Sequence, residues 1–215
     1  MADSDSRTGA RYATPEILGW TDKVHAGHDD ALARAFAVPD DMPSIMVGPS
    51  EGRLLSILCR MVGVRRAVEV GTLAGYSAIH LGRALPADGH LWTIEYEARH
   101  AEVARGNLAA AGLSDRVTVV EGAGVEILPT LEGHGPFDAV FIDADKASYA
   151  FYGGWAARHL RRGGLILGDN AYLFGELMED TPRGRSMRQF HEQVARDFDS
   201  VCIPTPDGLV LGVKR

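Results

Sequence analysis

The stretch "VEVGTLAGYSA", Val68 to Ala78, reads as a buried strand that runs into a glycine turn and opens a helix. Gly71 and Gly75 let the backbone turn sharply and approach a ligand, and the helix N-terminus behind them offers free N–H groups. The spacing is G-x-x-x-G, whereas a dinucleotide fingerprint G-x-G-x-x-G would need glycine where Leu73 stands. That second glycine is what lets a pyrophosphate lie against the backbone, so a dinucleotide fits poorly. Glu69, just before the turn, repels phosphate and suits a cationic ligand. Taken alone the turn is weak, because many α/β loops carry glycine for steric reasons.

Outward from this stretch the chain alternates. Strands read at "RAVEVG", "HLWTIE", "RVTVVEG", "FDAVFIDA" and "GGLILGD", with helices between them at about 76–85, 97–111, 123–131 and 147–161. Such repeated strand–helix–strand steps, with apolar strands covered on both faces, predict a parallel sheet flanked by helices. After a helix near 183–198, "SVCIPTPDGLVLGVKR" reads as two strands joined by a Pro/Asp/Gly turn. The expected fold is α/β, a doubly wound, mainly parallel, seven-stranded Rossmann-like sheet with an antiparallel C-terminal hairpin. Upstream, Thr14 caps a helix with Pro15 and Glu16 in its first turn and Ile17, Trp20 and Val24 on its apolar stripe. Gly27 precedes a segment with Leu32 and Phe36. "SEGRLLSILCRMVG" gives a further helix, with Ser50 as cap, Leu54, Leu55, Leu58 and Met61 as apolar face, and Gly63 as terminator. These segments form an N-terminal helical cap on a single domain, 13–215, behind a disordered tail, 1–12.

The composition fits one soluble domain: 215 residues, 46% apolar and 24% charged, enough to bury a full core. A net charge of −7 argues against nucleic acid, whose phosphates demand lysine and arginine. Arg158, Arg161, Arg162 and Arg183, Arg185, Arg188 read as solvated helix faces or an interface. Cys59 and Cys202 form no C-x-x-C pair and fit a reducing compartment as inert thiols. No secretory signal is readable at the N-terminus and no apolar run approaches the ~20 residues that span a membrane. The expected location is cytoplasmic, with no membrane partner.

Chemistry gathers at the strand ends. Glu95 closes the second strand, placed for both hydroxyls of a ribose or simply as a solvated strand-end acid; both readings stay open. Glu69, Gly71, Gly75 and Glu95 together favour an adenosine ligand that lacks phosphates and carries positive charge, which describes S-adenosylmethionine. In a sheet wound outward and back, strands one, four and five are neighbours, which brings Asp143 together with Asp169 and Asn170 beside the glycine loop. All three offer oxygen, the donor that magnesium, calcium or manganese prefers, and leave about half of an octahedral shell open. The bland alternatives are that Asp143 caps the next helix and that Asp169–Asn170 forms an Asx turn. Lys146, on the first turn after Asp143, opposes the helix dipole and could accept a proton from a substrate hydroxyl. His25 and His28 lack the further ligands of a zinc site and read as solvated helix histidines. Ser77 and Ser148 have no histidine arrangement that supports a hydrolase triad.

"EVGTLAGYSA", Glu95, "FIDADK" and "LGDN" resemble the cation-dependent O-methyltransferases, class I S-adenosylmethionine enzymes that include caffeoyl-CoA, catechol and bacterial small-molecule members. The likeness runs from about Met46 to the C-terminal "PDGLVLGVKR". It implies that Asp143, Asp169 and Asn170 hold a divalent cation, magnesium first, with calcium or manganese as alternatives. It also implies that Lys146 is the catalytic lysine, with Asp143 beside it, and that Val47, Glu69, Gly71 and Ser77 face the methionine part of the cofactor. Glu95 takes the ribose, Ala123 and Gly124 line the adenine, and Asp145 approaches the cofactor's amino group. The chain departs from animal catechol enzymes, which carry His-Trp where Ala144-Asp145 stands, and no counterpart to their further carboxylate is readable. Tyr172, Leu173 and Phe174 replace the tryptophan that bacterial members often carry after Asp-Asn, so the acceptor pocket differs.

The expected function is S-adenosylmethionine- and metal-dependent O-methylation of a catechol-like small molecule by a homodimer, an expectation that rests on the resemblance. Two rivals stay open: a metal-independent N- or carboxyl-methyltransferase, and a non-catalytic α/β binding module. A dehydrogenase is disfavoured by Leu73.

Overall fold

The computed structural model describes residues 12–215. Apart from Tyr12, the tail expected at 1–12 lies outside the described residues. Seven strands form one sheet in the order β3-β2-β1-β4-β5-β7-β6. They are β1 (Arg66–Val70), β2 (His90–Glu95), β3 (Val117–Glu121), β4 (Phe137–Ile142), β5 (Leu160–Gly168), β6 (Phe198–Ile203) and β7 (Leu209–Lys214). The first five run parallel and β7 lies antiparallel between β5 and β6, so the expected sheet and hairpin are both present. The winding reverses between β1 and β4, which is where such sheets bind ligands.

Alternation along each strand sends side chains to two cores. Ala67, Ala139, Phe141, Leu165 and Leu167 face one, under α3 (Pro49–Val62), α4 (Tyr76–Ala84) and α5 (Ala98–Ala110). Val68, Val70, Val140, Ile142 and Ile166 face the other, under α7 (Tyr149–His159) and α8 (Pro182–Asp197), where Tyr149, Tyr152, Trp155 and Phe190 are fully buried. Between β3 and β4 the helix expected at 123–131 is only α6 (Gly124–Ile127), continued by a 3-10 stretch, Leu128–His134. The helix expected at 147–161 is a 3-10 turn, Lys146–Ser148, followed by α7, which stops at His159. Arg161 and Arg162 therefore lie on β5 rather than on a helix face. Arg161 Nε donates to Asp138 Oδ1 at 2.5 Å, so this arginine ties β5 to β4.

The N-terminal helices are α1 (Pro15–His25), α2 (Asp30–Phe36) and α3. Thr14 caps α1 as expected, its hydroxyl accepting from Ile17 N at 3.3 Å. The apolar stripe of α1 is not buried, however: Ile17, Trp20 and Val24 are all exposed. On α3 the cap is Gly48, with Pro49 at the first helical position; Ser50 lies inside the helix and donates to Asp22 instead. Leu55 and Cys59 are buried, while Met61 is 77% exposed, one position off the covered face. Gly63 ends α3 in the left-handed conformation at φ 68°. Burial alone pushes the Cys59 thiol up to about 12, which keeps it inert. His28 is not a solvated helix residue; it lies in the turn after α1 and bonds Tyr76 Oη at 2.7 Å.

Candidate active site

The site is built on the carboxyl ends of β1, β2, β4 and β5. Ladder bonds continue one residue past the strands: Gly71 N donates to Ile94 O at 2.9 Å, Asp143 N to Val70 O at 2.8 Å and Asp169 N to Ile142 O at 2.9 Å. These three residues therefore start from the rigid sheet and not from free loops. At Gly71, with φ 98°, an added Cβ would lie 1.9 Å from the Asp143 carbonyl oxygen. Glycine here is what allows β1 and β4 to bring their ends together. Leu73, at φ 49°, and Asn170, at φ 52°, hold left-handed backbone without being glycine, the kind of strain that collects at functional sites.

Two cavities open at this edge. The larger, about 590 Å³, is lined by Val47, Ser77, Asp143, Lys146, Asn170 and Asp207 among others. The smaller, about 360 Å³, is lined by Tyr96, Ala123, Gly124, Asp145 and Tyr152. Gly71, Glu95 and Ala144 line both, so the glycine loop and the end of β4 stand between the two. Glu69 and Asp169 lie beneath, 0% and 3% exposed. The residues expected to meet cofactor, cation or acceptor thus gather at one edge of the sheet, although Asp145 stands on the smaller cavity's side, where Tyr152 Oη donates to its Oδ1 at 2.5 Å.

Glu95 does more than face a ribose. Its Oε2 accepts from Thr72 N at 3.1 Å and Leu73 N at 2.7 Å, and its Oε1 accepts from Glu97 N at 3.0 Å. Three of about four lone-pair sites on a carboxylate are therefore taken by backbone donors, two fixing the glycine loop and one the turn after β2. Glu69 is the end of a buried relay in which the Thr72 hydroxyl donates to Thr93, whose own hydroxyl donates to Glu69 Oε2, each at 2.5 Å. Glu69 Oε1 has no partner of hydrogen-bonding geometry, although the Ser77 hydroxyl is near enough to oppose the effect of burial. Burial raises the Glu69 carboxyl to about 8. An orphaned, buried carboxylate oxygen is the kind of group that an incoming cation relieves.

Around the other strand ends, Lys146 Nζ donates to Asp143 Oδ1 at 3.0 Å and to Tyr149 Oη at 2.9 Å. The Tyr149 hydroxyl proton goes to the Asp169 carbonyl at 2.8 Å or that of Ile142 at 3.1 Å, which leaves its lone pairs for the lysine. Asp143 caps no helix, because its side chain takes Lys146. Asp169–Asn170 is no Asx turn either, because Ala171 N donates to Gly208 O instead.

Two further acids stand here that the sequence reading missed. Carboxylate oxygens of Glu51, Asp169 and Asp207 lie within 4.8 Å of one another. Asn170 Nδ2 donates to Asp207 Oδ2 at 2.5 Å. A carboxylate only accepts, so this bond fixes which way the amide points and turns the Asn170 carbonyl oxygen away from Asp207. Burial first, and then neighbouring carboxylates, push both Glu51 and Asp169 up from the usual carboxylate range. The carboxylates of the cluster offer hard oxygens, with Lys146 beside Asp143, which fits a divalent cation. A signal for Asp207 did exist: β7 runs antiparallel to β5, so the turn before it must lie at the carboxyl end of β5. Glu51 carried none, since an acid in the first turn of a helix is ordinary. Of Tyr172, Leu173 and Phe174, which follow shortly after Asn170, Phe174 lines the larger cavity, Leu173 is buried in the core and Tyr172 packs against Gly208.

Residues 28–215 match the family model described as O-methyltransferase. The chain is 44% identical over 169 residues to a catechol O-methyltransferase of Mycobacterium tuberculosis, covering 78% of this chain and 76% of that protein. It is 37% identical to a catechol O-methyltransferase of Niastella koreensis, covering 93% and 94%. The crystal structure of the O-methyltransferase TomG from Streptomyces achromogenes, in complex with SAM, superposes with a TM-score of 0.88 at 36% identity, covering 93% of this chain and 96% of that one.

Proposed function

The chain belongs to the O-methyltransferase family and is an S-adenosylmethionine-dependent O-methyltransferase; from that premise we propose that its acceptor is a catechol-like small molecule and that a divalent cation assists. The observation that carries this reading is the convergence of Asp143, Asp169, Asn170, Glu51 and Asp207 beside Lys146, at a cavity that shares Gly71 and Glu95 with its neighbour. The oxygen-only donor set fits the cation; Asp143, Asp169 and Asn170 would hold it, with Asp207 orienting Asn170. When bound, the cation supplies Lewis acidity that makes a phenolic hydroxyl easier to ionise near neutral pH.

The chain's own residues then have distinct work. Lys146, anchored by Asp143 and Tyr149, stands at the cavity wall to take or hold the acceptor's proton. Val47, Ser77 and Gly71 line the space for the methionine part of the cofactor, with the Glu69 carboxyl behind them drawing its positive charge. Ala123, Gly124 and Asp145 line the smaller cavity, which suits an adenine, and Glu95 at the boundary suits the ribose. Ile45, Met46 and Phe174 give the larger cavity an apolar rim fit for an aromatic ring. Rates of methyl transfer to catechols and to matched monophenols, each with magnesium and with excess EDTA, test the proposal. Activity on catechols that disappears with EDTA supports it, and full turnover in EDTA would sink the cation's part.

Proton linkage gives a second expected result. A carboxyl whose folded pKa is raised holds a proton in the fold that the unfolded chain releases. The cation-free protein therefore loses stability as pH rises from the ordinary range near ~4 toward the raised values. Glu51 and Asp169 both shift this way. A cation takes the place of those protons, so the melting-temperature gain from magnesium over EDTA should grow between about pH 5 and 8 and fade toward pH 4. A gain independent of pH would show that these acids do not meet the ion.

No helix among the described residues is long and apolar enough to cross a membrane. Helix α1 buries none of its residues and exposes Ile17, Leu18, Trp20 and Val24 together, a contiguous apolar face that a second copy of the chain would cover. A homodimer, built from one domain per chain over 13–215, is our reading of that face.

A further inference from the structure

Away from the strand ends, a cavity of about 270 Å³ lies between the turn after α1 and the helices α3 and α4, lined by Arg53, Arg60, Arg83, Asp29 and His80 among others. It gathers three guanidinium groups against one carboxylate, in a chain whose net charge is −7. The one acid is already spent. Asp29 Oδ1 caps α2 by accepting from Leu32 N at 3.0 Å, and Oδ2 pairs with Arg83 at 2.8 Å. Among the described residues Arg53 has no such partner, and its Nε is buried without a hydrogen bond. The same holds for Nε2 of His80, a ring only 5% exposed. Arg60 is exposed at the cavity's edge and takes part in none of the ion pairs among the described residues. Burial, reinforced by Arg53, lowers His80 to about 4, so near neutral pH the ring is uncharged and the cavity's positive charge comes from the arginines.

Buried polar groups in folded proteins are nearly always paired, and each exception calls for an explanation. Guanidinium groups bind planar or tetrahedral oxyanions through parallel N–H donors. The volume is several times the ~30 Å³ share of one water, so an anion with a small organic group attached also has room. We infer that this cavity binds a phosphate group, either the free anion or the head of a phosphate monoester, held chiefly by Arg53 and Arg60. Two guanidinium groups without a carboxylate match the charge of a phosphate dianion better than that of a single carboxylate. The site backs onto the larger cavity through one residue. His80 packs edge-on against Tyr76 at 4.9 Å, and Tyr76 lines that cavity. It is separate from the cation cluster, which uses none of these side chains.

Calorimetric titration of the full chain with inorganic phosphate, and separately with phenyl phosphate, tests the assignment in chloride buffer of matched ionic strength. Saturable one-to-one binding is expected. The Arg53→Gln/Arg60→Gln double variant should weaken it by roughly tenfold or more, the loss of charge-assisted hydrogen bonds, while melting temperature and methyl transfer stay those of the parent. Tighter binding of phenyl phosphate assigns the ester, and equal or weaker binding assigns the free anion. Arg60→Gln alone removes an exposed residue and should still weaken binding, which covers the case of a poorly folding double variant. Absence of saturable heat overturns the inference, and so does an Arg158→Gln/Arg162→Gln pair that loses as much affinity as the double variant.

Discussion

Asp143→Ala should lower methyl transfer by about 10³-fold or more and leave the fold standing. Its carboxylate serves two partners at once: Oδ1 receives Lys146 Nζ at 3.0 Å, and its side chain lines the cavity beside Asn170. Loss of cation affinity and of the lysine's anchor together remove several kcal/mol of transition-state stabilisation, and each ~1.4 kcal/mol is a factor of ten. The fold survives because one acid leaves a crowded acidic cluster, which offsets the lost ion pair, and Lys146 keeps its bond to Tyr149 Oη. Asp207→Ala should act in the same direction and more weakly. Without Asp207 the Asn170 amide keeps only its longer bond to Asp169 Oδ2, at 3.3 Å, and is less firmly oriented, and second partners of this kind cost about 10–100-fold in metal affinity. Isothermal titration with manganese and steady-state rates check both variants. Asp143→Ala turning over at the parent rate would remove the carboxylate from the reaction.

Gly71→Ala should be the most damaging change at the cofactor loop. Its Cβ would lie 1.9 Å from the Asp143 carbonyl oxygen, in a backbone at φ 98°. The left-handed penalty of about 1–2 kcal/mol adds to an overpacking cost of about 1–3 kcal/mol. For a chain of this size the sum corresponds to a melting-temperature drop of roughly 5–15 °C. Relief requires pushing apart β1 and the end of β4, so S-adenosylmethionine binding should be lost along with the stability. Gly75→Ala is the internal comparison. Its φ is 84°, but the nearest atom to an added Cβ is the Ala104 methyl at 3.4 Å, so only the conformational penalty applies. Equal losses in the two variants would mean that close approach of the strands is not what Gly71 provides.

The sheet was legible because strand and helix periods differ and because the winding rule leaves few topologies. Its prediction placed Asp143 next to Asp169 across 25 intervening positions without any contact information. Caps and faces were less secure. Ser50 resembles a cap, but Pro49 can occupy the first helical turn without losing a hydrogen bond, which moves the boundary back to Gly48. Met61 fits the apolar spacing and yet falls just outside what the sheet covers. The active-site acids split in the same way. Asp143 and Asp169 follow apolar strands, where a charge stands out against its neighbours. Glu51 and Asp207 sit in a helix start and a Pro-Asp-Gly turn, where acids are commonplace, and only packing shows that both reach Asp169. Nor does the sequence show that Glu95 is largely engaged by Thr72, Leu73 and Glu97. Backbone donors carry no residue identity to read.

The position of β7 between β5 and β6 has a consequence for how the chain is made. During synthesis β6 leaves the ribosome before β7, its one partner in the sheet among the described residues. The edge strand must therefore wait, unpaired, until the strand translated after it has emerged. The turn between them carries Asp207, so the same late event delivers the carboxylate that orients Asn170. A nascent chain stalled ahead of this hairpin could already hold its glycine loop and still lack a finished acceptor site. Completion of the sheet and completion of the site are one step.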